Sequence, residues 1–97
     1  MAIDIGVLRK LCEDGEVTTF LFDQESSSYI IKNYAPGTVR VCLGEWDESK
    51  SVTVAPGISH TILSLPGTAA FGSRATSNMV TVQALEGPGA VEVLIDL

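Results

Sequence analysis

The stretch Ala35-Pro36-Gly37-Thr38-Val39-Arg40-Val41-Cys42-Leu43 begins with a proline–glycine pair and continues into a run in which valine and leucine alternate with other residues. Proline presets φ for the second position of a type II turn, and glycine supplies the positive φ of the third position. Alternation with a period of two is typical of a half-buried strand. The stretch therefore predicts a tight turn followed by a β-strand.

The same two signals recur along the whole chain. All 4 prolines of the 97 residues are followed by glycine, which predicts type II turns at 35–38, 55–58, 65–68 and 87–90. We predict strands at 16–23, 27–33, 39–43, 52–54, 58–65, 80–84 and 91–97, with 69–72 as a candidate eighth strand and 24–26 as the turn between the first two. Short strands at this spacing indicate an all-β fold, an antiparallel β-sandwich or jelly-roll-like barrel of about seven or eight strands. Turn spacing leaves the strand order open.

The first fifteen residues are predicted to form an N-terminal arm or short helix ahead of a single β-sandwich domain at 16–97. Asp4 is a candidate N-cap, and Gly6 would weaken such a helix by about 1 kcal/mol. An extended arm is therefore the competing interpretation. The apolar residues spaced like one face of a helix are Ile5, Leu8, Leu11 and Cys12.

Composition and charge exclude several classes of protein. With 45% hydrophobic residues the chain is too apolar to remain disordered, yet it has no apolar run long enough to span a membrane. Its net charge of −6 would repel phosphate backbones, so we expect no nucleic-acid partner. Residues 1–6 lack the basic region of a secretory signal, so we expect synthesis in the cytoplasm, with Cys12 and Cys42 as free thiols.

Residues for catalysis or metal binding are sparse. His60 is the only histidine, so no metal-ligand spacing is available. A nucleophile–base pair would need the fold to bring a serine or cysteine next to His60, and neither Cys12 nor Cys42 has a local active-site signature. We therefore expect no cofactor, no metal and no enzymatic activity, and we keep a small enzyme using His60 as a minor hypothesis. The acidic residues at 13–16 and 47–48 are interpreted as solvated loop charge, because a calcium-loop motif is missing.

Adjacent large apolar residues at 20–22, 29–31 and 94–95 place hydrophobic groups on both faces of the predicted strands. A small monomeric sandwich buries only one face, so we expect either cover by the N-terminal segment or, preferably, self-association. Trp46, in an acidic loop, is interpreted either as folded back over the core edge or as an anchor for a partner. The candidate contact residues are Leu8, Leu11, Phe20, Phe22, Tyr29, Ile31 and Trp46.

Three segments carry a family resemblance: YAPGTVRVCLG at 34–44, VAPG at 54–57 and GAVEVLI at 89–95. In this pattern residues 28–97 resemble minor structural proteins of tailed bacteriophages. The resemblance implies a virion component, either a capsid decoration (cement) protein or a tail, neck or fibre accessory. It also implies a homo-oligomer, with a trimer favoured, that binds the major capsid protein or another virion protein.

An alternative hypothesis is a monomeric carbohydrate-binding β-sandwich module. It would be centred on Trp46 and the acidic loop around it, because an aromatic ring can stack on a sugar. This hypothesis predicts a monomer, whereas the virion hypothesis predicts an oligomer.

Overall fold

The computed structural model describes residues 7–26, 28–63 and 77–95, with side chains for all of these except 59–63. Within these ranges there is one 3₁₀ turn, at Glu48–Lys50, and no helix long and apolar enough to cross a membrane. The strands are β1 (Val7–Cys12), β2 (Val17–Ser26), β3 (Ser28–Asn33), β4 (Val39–Leu43), β5 (Val52–Val54), β6 (Ser59–Leu63), β7 (Ser77–Ala84) and β8 (Gly89–Ile95).

The strands form two four-stranded antiparallel sheets. Sheet A has the order β1-β8-β3-β6, and sheet B has the order β2-β7-β4-β5. Strands β1 and β2 are therefore edge strands, as are β5 and β6. The chain passes from one sheet to the other at every connection except that from β4 to β5, and this strand order is that of a jelly roll. The prediction of an all-β antiparallel sandwich is confirmed.

The core lies between the two sheets and is built by the period-two alternation of their strands. In β8, Val91 and Val93 are fully buried, and in β4 Val39 and Val41 are fully buried. Phe22 of β2 and Tyr29 of β3 join the sheets, with ring centroids 5.2 Å apart and planes tilted by 43°. A tilted aromatic pair at this separation stabilises the fold beyond the contribution of its buried apolar area.

The predicted turn at 24–26 is wrong. Strand β2 continues to Ser26 and pairs with β7, whereas β3 pairs with β6 and β8. The two strands therefore lie in different sheets. The segment 24–26 contains neither glycine nor proline, so no local signal ends the strand there.

The helical interpretation of the N-terminal segment is also wrong. Residues 7–12 are strand β1, which pairs with β8 from Val7 opposite Leu94 to Cys12 opposite Gly89. Cys12 is fully buried and Leu8 packs against the core, so these residues belong to the sandwich. Residues 1–6, the turn at 65–68 and the candidate strand at 69–72 lie outside the described residues.

The proline–glycine pairs serve two different purposes. Gly57 has φ +75°, and the Ile58 N–H donates to the Ala55 carbonyl at 3.3 Å, as expected for the predicted turn. Gly37 and Gly89 have no positive φ, which corrects the type II interpretation of 35–38 and 87–90. A Cβ on Gly89 would lie 2.4 Å from the Cα of Ala35, so at this position glycine allows two loops to touch.

Candidate interaction surface

Four loops lie side by side at one end of the sandwich, at 13–16, 34–38, 55–58 and 85–88, and Asn33 ties two of them together. Its Nδ2 donates to the carbonyls of Gly37 at 2.9 Å and Val54 at 3.0 Å. Its Oδ1 accepts from the Ala35 N–H at 2.8 Å. Since Asn33 is 1% exposed, these three bonds satisfy a buried amide and hold this end rigid.

The acidic β1–β2 loop is attached to the β7–β8 loop. The Gly15 N–H donates to the Ala84 carbonyl at 2.8 Å, and Asp14 Oδ1 accepts from the Gly87 N–H at 3.0 Å. Glu86 Oε1 likewise accepts from the Thr38 N–H at 3.1 Å. Two of the carboxylates at this end thus hold loops in place, and for Asp14 this corrects the interpretation of residues 13–16 as solvated loop charge.

Lys10 closes the gap between the edge strands β1 and β2. Its Nζ donates to the Thr19 carbonyl at 2.7 Å and lies 5.6 Å from the centroid of the Phe20 ring. A lysine on an edge strand discourages the addition of a further strand. The described part of this side therefore presents side chains rather than a fully open backbone edge.

Four of the seven exposed large apolar residues in the described part of the chain lie on the edge strands β1 and β2. Leu11 is 62% exposed and Leu21 is 57% exposed. They occupy β1 and β2, the first on the outer face of sheet A and the second on the outer face of sheet B. The large apolar residues exposed on these two strands are Val7, Leu11, Val17 and Leu21.

The outer face of sheet A is ordered in rows across the strands. In one row Arg9, Glu92 and Lys32 are in register, with Lys32 Nζ 3.8 Å from Glu92 Oε1. In the next row Leu11 is opposite Ala90, whose carbonyl accepts from the Tyr34 N–H at 3.0 Å. The Arg9 guanidinium lies 4.8 Å from the centroid of the Tyr34 ring. Cationic and apolar groups therefore adjoin on this face.

Four of the predicted contact residues are core residues. Phe20, Tyr29 and Ile31 are fully buried and Phe22 is 4% exposed, so the interpretation of these four as subunit contacts is wrong. The adjacent apolar residues at 20–22 do lie on both faces of β2, but the one that faces outward is Leu21, which was not among the predicted contacts. Alternation within β2 could have identified it, since Leu21 lies between the two phenylalanines that face the core.

Two further predicted contact residues belong to β1. Leu8 is half-buried against the core, and Leu11 is exposed. Sequence reasoning missed Val7 and Arg9, which share the outer face of β1 with Leu11. Both would have been found by treating the segment as a strand instead of a helix.

The loop that contains Trp46 folds back over the protein. Trp46 is half-buried and packs against the core, as the folded-back interpretation expects. Arg40 Nη1 lies 2.6 Å from Glu48 Oε2, which fastens the 3₁₀ turn to β4. Hydrogen bonds from Ser49 hold the pKa of the Asp47 carboxyl below its ordinary value. Nothing among the described residues favours carbohydrate stacking on Trp46.

The described residues contain neither a ligand-sized pocket nor a group of three or more side chains that could hold a metal ion. Cys12 and Cys42 are buried free thiols, and burial raises the pKa of Cys12. A raised pKa disfavours the reactive thiolate. His60 is in register with Ile31 of β3, and its side chain is outside the described set.

No family model, curated protein or solved structure matches this chain. Function is therefore argued from geometry. The feature with the clearest chemical character is the outer surface of β1, where Val7, Arg9 and Leu11 are exposed.

Proposed function

We propose that this chain is a non-enzymatic structural protein that binds copies of itself and the surface of an assembled protein shell. The specific role is a decoration (cement) protein of a tailed-bacteriophage head. The observation that carries the proposal is the set of exposed apolar and cationic side chains on β1, above all Leu11 at 62% exposure. Exposed apolar groups gathered on one side of a small domain mark an interaction surface.

The architecture supports this role by analogy. Jelly rolls are used by viral capsid proteins and also by lectins and cupins, so the fold is compatible with the proposal without selecting it. The hydrogen bonds of Asn33 join two loops and restrict their movement. Rigid surfaces lose little conformational entropy when they bind.

The proposed mechanism is stabilisation by mass action. A protein that binds the assembled shell and not its separated subunits shifts the equilibrium toward the shell. Contacts that are individually weak become effective when several copies are linked, because each further contact is intramolecular. Symmetry repeats the same contact on every copy. The mechanism depends on binding alone and requires no catalytic group.

The proposal is tested on particles released from the source organism after induction of lysis. In a density gradient we expect this chain to sediment with the particles, at a fixed ratio to the major shell protein measured by mass spectrometry. Particles made without the chain should lose their nucleic acid at a lower temperature. A chain found only in the soluble fraction would overturn the shell-binding role.

A matched pair of variants connects the particle experiment to β1. Leu11→Gln should reduce the amount of chain on the particles, and Leu21→Gln should not. Both leucines are more than half exposed, on the edge strands β1 and β2. Equal loss for the two variants would contradict the assignment of the β1 surface.

A further inference from the structure

The outer side of β1 has an unusual order of side chains around Leu11. Arg9 precedes it by two residues and is exposed on the same face of the strand, and Glu13 follows by two residues and is exposed just beyond the end of the strand. Leu11 is the most exposed large apolar residue in the described part of the chain. An apolar centre is thus flanked by opposite charges at equal spacing.

Both flanking charges lack a carboxylate or ammonium partner among the described residues. The described ion pairs use Lys32, Arg40 and Lys50. Arg9 is in register with Glu92, whose carboxylate pairs with Lys32, and the Arg9 guanidinium lies over the Tyr34 ring. Both Arg9 and Glu13 therefore remain able to pair with another molecule.

We propose that β1 packs against β1 of a second copy, antiparallel, across a twofold axis at Leu11. In this arrangement Leu11 contacts Leu11 of the second copy, and Arg9 of each copy faces Glu13 of the other. A twofold contact of this kind is self-complementary: residue i meets residue j, and residue j meets residue i. The proposal rests on the self-association in the proposed function and identifies its surface and symmetry.

Charge explains why a second copy is the occupant. The chain carries −6 overall, so two copies repel each other over most of their surfaces. On the outer face of β1 the exposed cation is Arg9, and the exposed carboxylate on the other side of Leu11 is Glu13. Lys10 and Asp14 are already hydrogen-bonded within the protein, to the Thr19 carbonyl and the Gly87 N–H. Antiparallel packing of this segment on itself places opposite charges together, and charge complementarity of this type sets orientation.

The test is charge reversal, measured by sedimentation equilibrium of the full chain. Arg9→Glu and Glu13→Arg each place like charges at both contact points, so each variant should raise the dimer Kd at least about tenfold. The double variant R9E/E13R restores both pairs and should return within about threefold of the original Kd. The R9E and E13R proteins, each weakly associating alone, should form a heterodimer when mixed.

The control and the opposing outcomes are as follows. Leu11→Gln should abolish the dimer, while Leu21→Gln on β2 should leave its Kd unchanged, and circular dichroism checks that each variant folds. A wild-type chain that stays monomeric at millimolar concentration overturns the twofold contact together with the self-association in the proposed function. An oligomer insensitive to all β1 variants, a failure of rescue in the double variant, or a trimeric mass overturns the twofold contact alone.

Discussion

The Lys10 ammonium donates a 2.7 Å hydrogen bond to the main-chain carbonyl of Thr19 and so spans the gap between the edge strands of the two sheets. The same ammonium lies 5.6 Å from the centroid of the Phe20 ring. One side chain thus occupies an acceptor on β2 and covers part of the core edge. An unprotected edge invites pairing with other chains, so Lys10 directs association toward side-chain contacts.

Replacement of Lys10 by methionine tests this role. The methionine keeps an apolar stem but cannot donate to Thr19, so the free energy of unfolding should fall by about 1 kcal/mol. The matched control is Lys50→Met, because Lys50 Nζ is 4.0 Å from Asp47 in a surface ion pair that contributes little. Urea unfolding measures both, and light scattering should show aggregation of K10M alone. Identical behaviour of the two variants would contradict the role of Lys10.

Asn33 should be the polar residue to which the fold is most sensitive. Removal of its amide in Asn33→Ala leaves the Ala35 N–H and the carbonyls of Gly37 and Val54 without their partner. Three lost bonds at about 1 kcal/mol each, with a cost for the buried unsatisfied groups, predict a loss of about 3–5 kcal/mol. Urea unfolding measures the loss. The control is Gln24→Ala, because the Gln24 side chain is exposed and makes no contact with Asn33 or the loops that it joins. A loss below about 1 kcal/mol would show that water replaces the amide.

The isosteric change Asn33→Asp adds a dependence on pH. A carboxylate at this position would face two carbonyl oxygens in a buried site, so its pKa in the folded protein should rise above about 3.9, the usual value for Asp. A raised folded pKa means that stability is retained at low pH and lost as the pH rises through that value. The N33D protein should therefore be nearer to the original protein at pH 4 than at pH 7. The opposite order would show that the introduced carboxyl is not desolvated.

Two glycines separate the effect of close contact from that of positive φ. In Gly89→Ala the new Cβ would lie 2.4 Å and 2.5 Å from Ala35 atoms, so one loop must move. In Gly57→Ala the Cβ meets nothing within 4 Å, but the residue keeps φ +75°, which costs about 1–2 kcal/mol. We expect G89A to lower the midpoint of urea unfolding more than G57A does. The reverse ranking would mean that the two loops separate without cost.

Local patterns were sufficient for part of the fold. Strand β4 was predicted at 39–43 and is observed at Val39–Leu43, because its alternation follows a turn signal directly. The prediction of a helix for the N-terminal segment failed because Leu8 and Cys12 are four residues apart. Residues at this spacing share a face in a helix and in a strand alike. Only the pairing of β1 with β8, at the other end of the described chain, decides between them.

The interaction surface was less predictable for the same reason. Adjacent apolar residues such as Phe20 and Leu21 indicate that both faces of a strand are apolar, and which face is inward depends on the partner sheet. The core takes Phe20, and Leu21 remains outside. Likewise, the need for glycine at position 89 arises from its contact with Ala35 in a distant loop, which no local turn pattern contains.

The buried thiol of Cys12 and phenol of Tyr29 should make the fold sensitive to alkaline pH. Burial raises the pKa of each group, and the Tyr29 hydroxyl donates to the Ser77 carbonyl. Groups with raised folded pKa values hold their protons longer in the folded chain than in the unfolded chain. Their stabilisation is therefore complete below the unfolded values, about 8.5 for Cys and about 10 for Tyr, and is lost as the pH rises through the folded values.

Urea unfolding from pH 7 to pH 11 measures this loss. Cys12→Ala should flatten the decline that begins above about pH 8.5, and Tyr29→Phe should flatten the decline above about pH 10. Both variants also lose stability at pH 7, so the slopes against pH are compared rather than the absolute free energies. Val54→Ala, which removes buried apolar atoms and no ionisable group, is the control: it should lower the free energy of unfolding at every pH and keep the original slope. Unchanged slopes for C12A and Y29F would show that these groups ionise alike in the folded and unfolded chains.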